Sequence, residues 1–156
     1  MVTMQNDSLK QAVLRVFTES FNQGDLSAID EVAGSGTLDH QHPDEANFTA
    51  HLKAVVTALR TAFPDLHFEI VQMIGEDEWV AIYSVMTGTH TGPLTPPVLP
   101  PGGPATLPPT GRSIRVPHMH MIRFDQDGQH GDLYHLMDTF AMLGQLGLLP
   151  GGAPRG

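Results

Sequence analysis

The residues best suited to chemistry in this chain are one aspartate near the C-terminus and a scatter of histidines. Asp138 closes a mainly apolar run, Leu133-Tyr-His-Leu-Met-Asp138. With the strand period of two, Tyr134, Leu136 and Asp138 share a face. If that face is concave, the carboxylate enters an apolar hollow. Desolvation there disfavours its charged form, raises its pKa and makes it a better base toward a carbon acid. The structural alternative is that Asp138 caps a helix starting at Thr139, and amide donors would then lower its pKa.

His118 and His120 stand at i, i+2, so they face one side together with Ile122 and Phe124. Near a carboxylate, such an imidazole can donate to a developing enolate oxygen or relay a proton. The alternative is one histidine bonded in the core and one near the rim. His40 and His42 repeat the His-x-His spacing. Four imidazoles could in principle hold zinc, copper, iron or nickel. The spacing is not diagnostic of a metal centre, and no metal is expected. His40 reads better as a hydrogen-bond donor in a pocket wall. Phe17, Met86, Tyr134 and His118 complete the expected wall, with Asp138 and His120 as the catalytic pair. His90 is expected to fix a strand end. His51, His67, His130 and His135 read as surface or partner-facing positions. Met119, Met121, Met137 and Met142 read as core or interface filler.

The elements that must position these groups follow from periodicity. Leu9, Ala12, Val13, Val16 and Phe17 form one helical stripe within about 7–22. Leu26, Ile29 and Val32 mark a short second helix after Asp25. Leu52, Val55, Val56 and Leu59 mark a third, beginning near Asn47 or Thr49 and stopped by Pro64. Strands are expected over about 66–73, 79–90, 113–124 and 131–138, with Asp125-Gln-Asp-Gly128 as a hairpin turn. Residues 93–110 form a Pro/Gly-rich segment, read as an exposed loop. The tail 150–156 is expected to be disordered. Helices followed by hairpin-linked strands give a single α+β domain over 1–156, with helices on one face of a curling antiparallel sheet and a pocket between.

Composition narrows the function. The 156 residues carry 8 basic and 17 acidic side chains, a net charge of −9, 40% hydrophobic residues and no cysteine. The acidic balance argues against nucleic acid and anionic membranes, and the missing cysteine excludes disulfides and thiolate metal sites. No apolar run is long enough to span a bilayer, so a cytoplasmic protein acting on a small molecule or a protein partner is expected.

The order Asn22-Gln-Gly-Asp25, His40, Phe63-Pro-Asp-Leu66, Gly88-Thr-His-Thr-Gly92, Asp127-Gly128, Tyr134-x-x-x-Asp138 and Gln145-Leu-Gly147 resembles the SnoaL-like polyketide cyclases of the NTF2-like (cystatin-like) superfamily. The resemblance implies a cone-shaped α+β barrel and a cofactor-independent intramolecular aldol condensation on a polyketide-like carbonyl compound. It further implies a catalytic aspartate at Asp138 and a homodimer through the outer face of the sheet. The alternatives are a non-catalytic module that binds or senses an apolar metabolite, a related epoxide hydrolase, isomerase or dehydratase, and an interaction protein docking through its proline-rich loop.

Overall fold

The computed structural model describes residues 2–34, 36–99 and 102–149. Helix α1 (Val2–Arg15) continues into one π-helical turn (Val16–Phe21) and is followed by α2 (Ser27–Val32), the short strand β1 (Leu38–Asp39) and α3 (Phe48–Ala62). Strands β2 (His67–Glu76), β3 (Trp79–Thr89), β4 (Ser113–Phe124) and β5 (His130–Met137) come next, and α4 (Thr139–Gln145) closes the chain. The sheet order is β1-β5-β4-β3-β2; β2 to β5 pair antiparallel and β1 adds to the edge of β5 in parallel. This is the α+β class expected from the sequence. Among the described residues, no helix is long and apolar enough to cross a membrane. The expected disordered tail lies outside the described residues.

Local chemistry sets the helix ends. The Asp25 carboxylate accepts from the Ser27 amide, and the Asn47 side chain caps α3 by accepting from the Ala50 amide. The π turn is closed by the Asn22 amide donating to Phe17 O at 3.0 Å. It brings Phe17 and Phe21 into a stack at 5.3 Å, with both rings edge-on to Phe68. The Asn22 side chain then accepts from the Phe68 amide at 2.7 Å and donates to its carbonyl at 3.1 Å. It thereby mimics a strand residue and ties the helix end to β2.

The Phe63–Leu66 and Gly88–Gly92 motifs turn out to be the two halves of one clasp. The Asp65 carboxylate accepts from the Thr89 amide at 2.6 Å and its hydroxyl at 2.8 Å. The amides of Thr91 and Gly92 both donate to Ala62 O. His90 is buried beside Phe63 and bonded to Thr110, in the structural role expected of it. Gly92 has no room for a side chain: a Cβ would overlap the Thr61 carbonyl oxygen, which is helix backbone and cannot step aside. Gly92→Ala is therefore expected to cost roughly 3 kcal/mol through overpacking, read as a lowered urea midpoint with an unchanged m-value.

The first half of the proline-rich segment corrects the expectation of an exposed loop. Leu94 and Leu99 are buried, and Leu94 pairs with Leu107 through two backbone hydrogen bonds. The first half of the segment thereby forms part of the interior wall, while 102–106 stays exposed.

One irregularity decides which side chains face inward. Phe124 pairs with His130 but Arg123 pairs with Asp132, so Gly131 is an extra residue in β5. A one-residue bulge exchanges the two faces of everything beyond it. Leu133, His135 and Met137 consequently face the helices, and Tyr134 and Leu136 face outward with Met119 and Met121.

Candidate active site

The inward faces of β4 and β5 bring three histidines together. His120 sits opposite His135 and His118 opposite Met137. Ring centroids are 4.2 Å apart for His118–His120, 5.8 Å for His120–His135 and 6.0 Å for His118–His135. From the edge of the sheet, Asp39 of β1 and His42 of the following loop reach the same place. Asp39 Oδ2 accepts from His135 Nε2 at 3.1 Å and from His42 Nδ1 at 3.2 Å, while its Oδ1 accepts from the Gln41 amide at 2.9 Å. His42 in turn lies 4.8 Å, ring to ring, from the buried His51.

A cavity of about 280 Å³ opens onto this group. Its walls include His118, His135 and His42, with Val55 and Leu59 from α3 and Val98 and Leu99 from the proline-rich loop. Two hollows of about 520 and 530 Å³, along α1 and beside the start of α3, carry no imidazole. The imidazole-lined cavity is where acid–base chemistry has its groups.

Electrostatics sort the histidines into roles. Burial, reinforced by the charge of His135, pushes His118 down to about 3. Burial first, and then neighbouring histidines, drives His120 well below the ordinary imidazole range. Both rings are neutral at physiological pH, and a neutral imidazole carries one N–H donor and one acceptor. Both ring nitrogens of His118 and Nδ1 of His120 are buried without a partner among the described residues. Buried polar atoms are ordinarily satisfied, so a group entering the cavity has hydrogen bonds to make with His118. Asp39 behaves oppositely. Burial raises its pKa, but the bonds from His135, Gln41 and His42 and the charge of His135 outweigh that and hold it at about 2. A fixed carboxylate on one imidazole nitrogen selects the tautomer of the ring. With Nε2 of His135 engaged, Nδ1 is the nitrogen left for a ligand.

The SnoaL-like polyketide cyclase model matches residues 11–146. The chain belongs to this family. No curated protein matches it in sequence. Among solved structures it is similar to TsrD of Streptomyces laurentii, at TM-score 0.76 and 19% identity over 91% of this chain and 97% of the other. A Jannaschia sp. CCS1 protein superposes at 0.73 with 21% identity over 93% and 95%. IdmH of Streptomyces antibioticus superposes at 0.68 with 24% identity over 89% and 98%. At these identities the likeness supports the NTF2-like fold alone.

Within this SnoaL-like fold, the expected site is partly rearranged. His118 lines the cavity. His120 faces inward but lies behind it, its ring edge-on to Phe17 at 5.2 Å. Phe17 and Met86 are fully packed core residues rather than cavity wall. The pocket-wall expectation for His40 and Tyr134 is overturned. His40 stacks on Tyr134 at 4.0 Å and bonds Asp132, which also pairs with Arg123, all on the outward face. The inward orientation expected of Asp138 is overturned too. The residue is exposed, and its Oδ1 accepts from the Ala141 amide at 2.9 Å as the N-cap of α4. The Gly131 bulge explains both corrections: without it, Tyr134 would sit opposite His120.

Asp39 has no reading in the sequence, His42 figures there only as a possible metal imidazole, and His51 and His135, which read as surface or partner-facing, lie at the site instead. Gly131 was the available signal, since a glycine inside a strand often marks a bulge. A bulge there sets His135, not Tyr134, beside His120. Asp39 had no such signal, because a two-residue strand shows no period.

Proposed function

We propose that the chain is a SnoaL-like cyclase that carries out cofactor-independent acid–base chemistry on a small, largely apolar carbonyl compound, with His135 as base and Asp39 as its partner. The observation that carries this reading is the Asp39–His135 hydrogen bond at the wall of a largely apolar cavity. His135 Nδ1 removes an acidic α-proton, and Asp39 stabilises the imidazolium. The neutral His118 donates to the enolate oxygen, as an electrophile that needs no positive charge of its own. The enolate carbon attacks a carbonyl of the same molecule, one carbon–carbon bond forms, and the protonated His135 returns its proton to the new alkoxide. No net proton is gained or lost. The cavity volume favours a substrate of one or two rings.

The exposed apolar outer face, with Met119 57%, Met121 47% and Leu136 71% exposed, supports a homodimer through the sheet. A cytoplasmic location goes with this reading.

Asp138 provides the discriminating experiment. Asp138→Asn keeps a capping oxygen, since asparagine caps as well as aspartate. Deuterium uptake from D2O at the α-carbon of 1-tetralone, followed by NMR, is expected to stay within about twofold of the unchanged protein, a change small on the scale of general-base catalysis. Loss of exchange in a folded Asp138→Asn protein would return the base to Asp138 and reject the His135 reading.

A further inference from the structure

The donors around Asp39 have a geometry that acid–base chemistry alone does not require. Asp39 Oδ2, a nitrogen of His42 and a nitrogen of His135 all lie within 4.8 Å of one another. The carboxylate oxygen is 3.1 Å from one nitrogen and 3.2 Å from the other. Two donor atoms about 2.1 Å from a common ion, at an angle of about 95–100°, stand this far apart. Three different segments supply the donors: β1, the loop after it, and β5. The Gln41 amide holds Oδ1, leaving Oδ2 as the shared vertex.

We propose that Asp39, His42 and His135 form a binding site for one borderline divalent cation such as Zn2+, Co2+ or Ni2+, and that the cation blocks the cavity's acid–base function. Two imidazoles and one carboxylate suit these ions; magnesium and calcium prefer all-oxygen shells. The carboxylate is buried, so competition from water at the anchor is small. The remaining coordination positions face the cavity that His42 and His135 line. A cation at the vertex replaces the Asp39–His135 hydrogen bond, so the ion and the dyad exclude one another.

The site rests on donor geometry and not on the proposed reaction, and it can be tested without substrate. The metal-free full chain is titrated with Co2+, reading the visible d–d absorption, with circular dichroism and a thermal melt on each variant. The expected result is one ion per chain, with at least about 50-fold weaker binding in His42→Ala and in Asp39→Asn, consistent with the loss of one ligand. His67→Ala serves as the control for adventitious surface binding and is expected to match the unchanged protein. Should His42→Ala misfold, Asp39→Asn, which keeps the side-chain volume, carries the test. Binding of equal strength in a folded Asp39→Asn or His42→Ala protein, or no saturable band at one equivalent, overturns the site. In the metal-free protein, 1-tetralone exchange is expected to fall as Zn2+ is added and to return with chelator. Exchange unaffected by saturating Zn2+ overturns the blocking role. Failure of exchange in the metal-free protein bears on the reaction and leaves the cobalt result standing.

Discussion

His135→Gln is expected to lower α-proton exchange of 1-tetralone by about 10³-fold while leaving the fold intact, within the range typical of losing a positioned general base. Glutamine preserves a polar side chain at the Asp39 carboxylate but cannot take up a proton. Asp39→Asn is expected to lose about 10²-fold. Its amide can still meet an imidazole, but it neither fixes the tautomer nor offsets the imidazolium charge. Asp39→Asn also gives up charge-assisted bonds from three donors, so a falling melting temperature should accompany its loss of rate. The two substitutions together should cost little more than His135→Gln alone, because Asp39 acts through His135. Additive losses would mean that the two residues work independently. The assay is NMR-detected exchange at neutral pH, with circular dichroism on each variant.

Acid should unfold this protein earlier than its carboxylates alone would suggest. His118 is held at about 3 and His130 at about 4, both by burial foremost, and His120 is depressed as well; the ordinary value is 6.5. The sign follows from which state binds protons. As pH falls through 6.5, the unfolded chain takes up protons at these three sites, and the folded chain resists until about 4 for His130 and about 3 for His118. Stability is therefore present above 6.5 and drains away below it. Each histidine contributes at most about 1.4 kcal/mol per pH unit, so three contribute up to about 4. That consumes an ordinary domain's margin of about 5–15 kcal/mol within a few pH units. Asp39 acts in the same direction at lower pH. Its folded value of about 2 lies below the ordinary 3.8, so its contribution is lost between about 4 and 2. Thermal melts should drop by tens of degrees between pH 7 and pH 5. His130→Leu should flatten that slope by at most about a third, since the ring packs among Phe48 and Phe124 and neither of its nitrogens has a partner among the described residues. A melting temperature constant from pH 7 to pH 5 would contradict the burial of these rings.

Long periodic elements were legible in the sequence, and the features that aim side chains were not. β4 occupies 113–124 as its alternation predicts, and α3 starts at Phe48, between the two starts its apolar stripe allows. The motifs at Phe63–Leu66 and Gly88–Gly92 bond to each other, a relation invisible until both ends meet. β5 was placed within one residue of its true limits, yet its faces were exchanged by Gly131. A single extra residue leaves composition and boundaries untouched while it moves Asp138, Tyr134 and His135 to opposite sides. β1 escaped notice because its pairing with β5 depends on tertiary contact rather than local pattern. The proline-rich loop misled for a related reason: prolines forbid a ladder, but they do not forbid burial of Leu94 and Leu99.

A crystal structure with 1-tetralone bound tests the dyad most directly. The ketone is expected in the hollow between α3, the proline-rich loop and β4–β5. Its α-carbon should lie within about 3.5 Å of His135 Nδ1, the separation of a near-attack arrangement. Its oxygen should lie within hydrogen-bond reach of a His118 ring nitrogen. A ketone whose α-carbon instead lies against the Asp138 carboxylate, with His135 turned away from it, would contradict the assignment of His135 and Asp39 as the reacting pair.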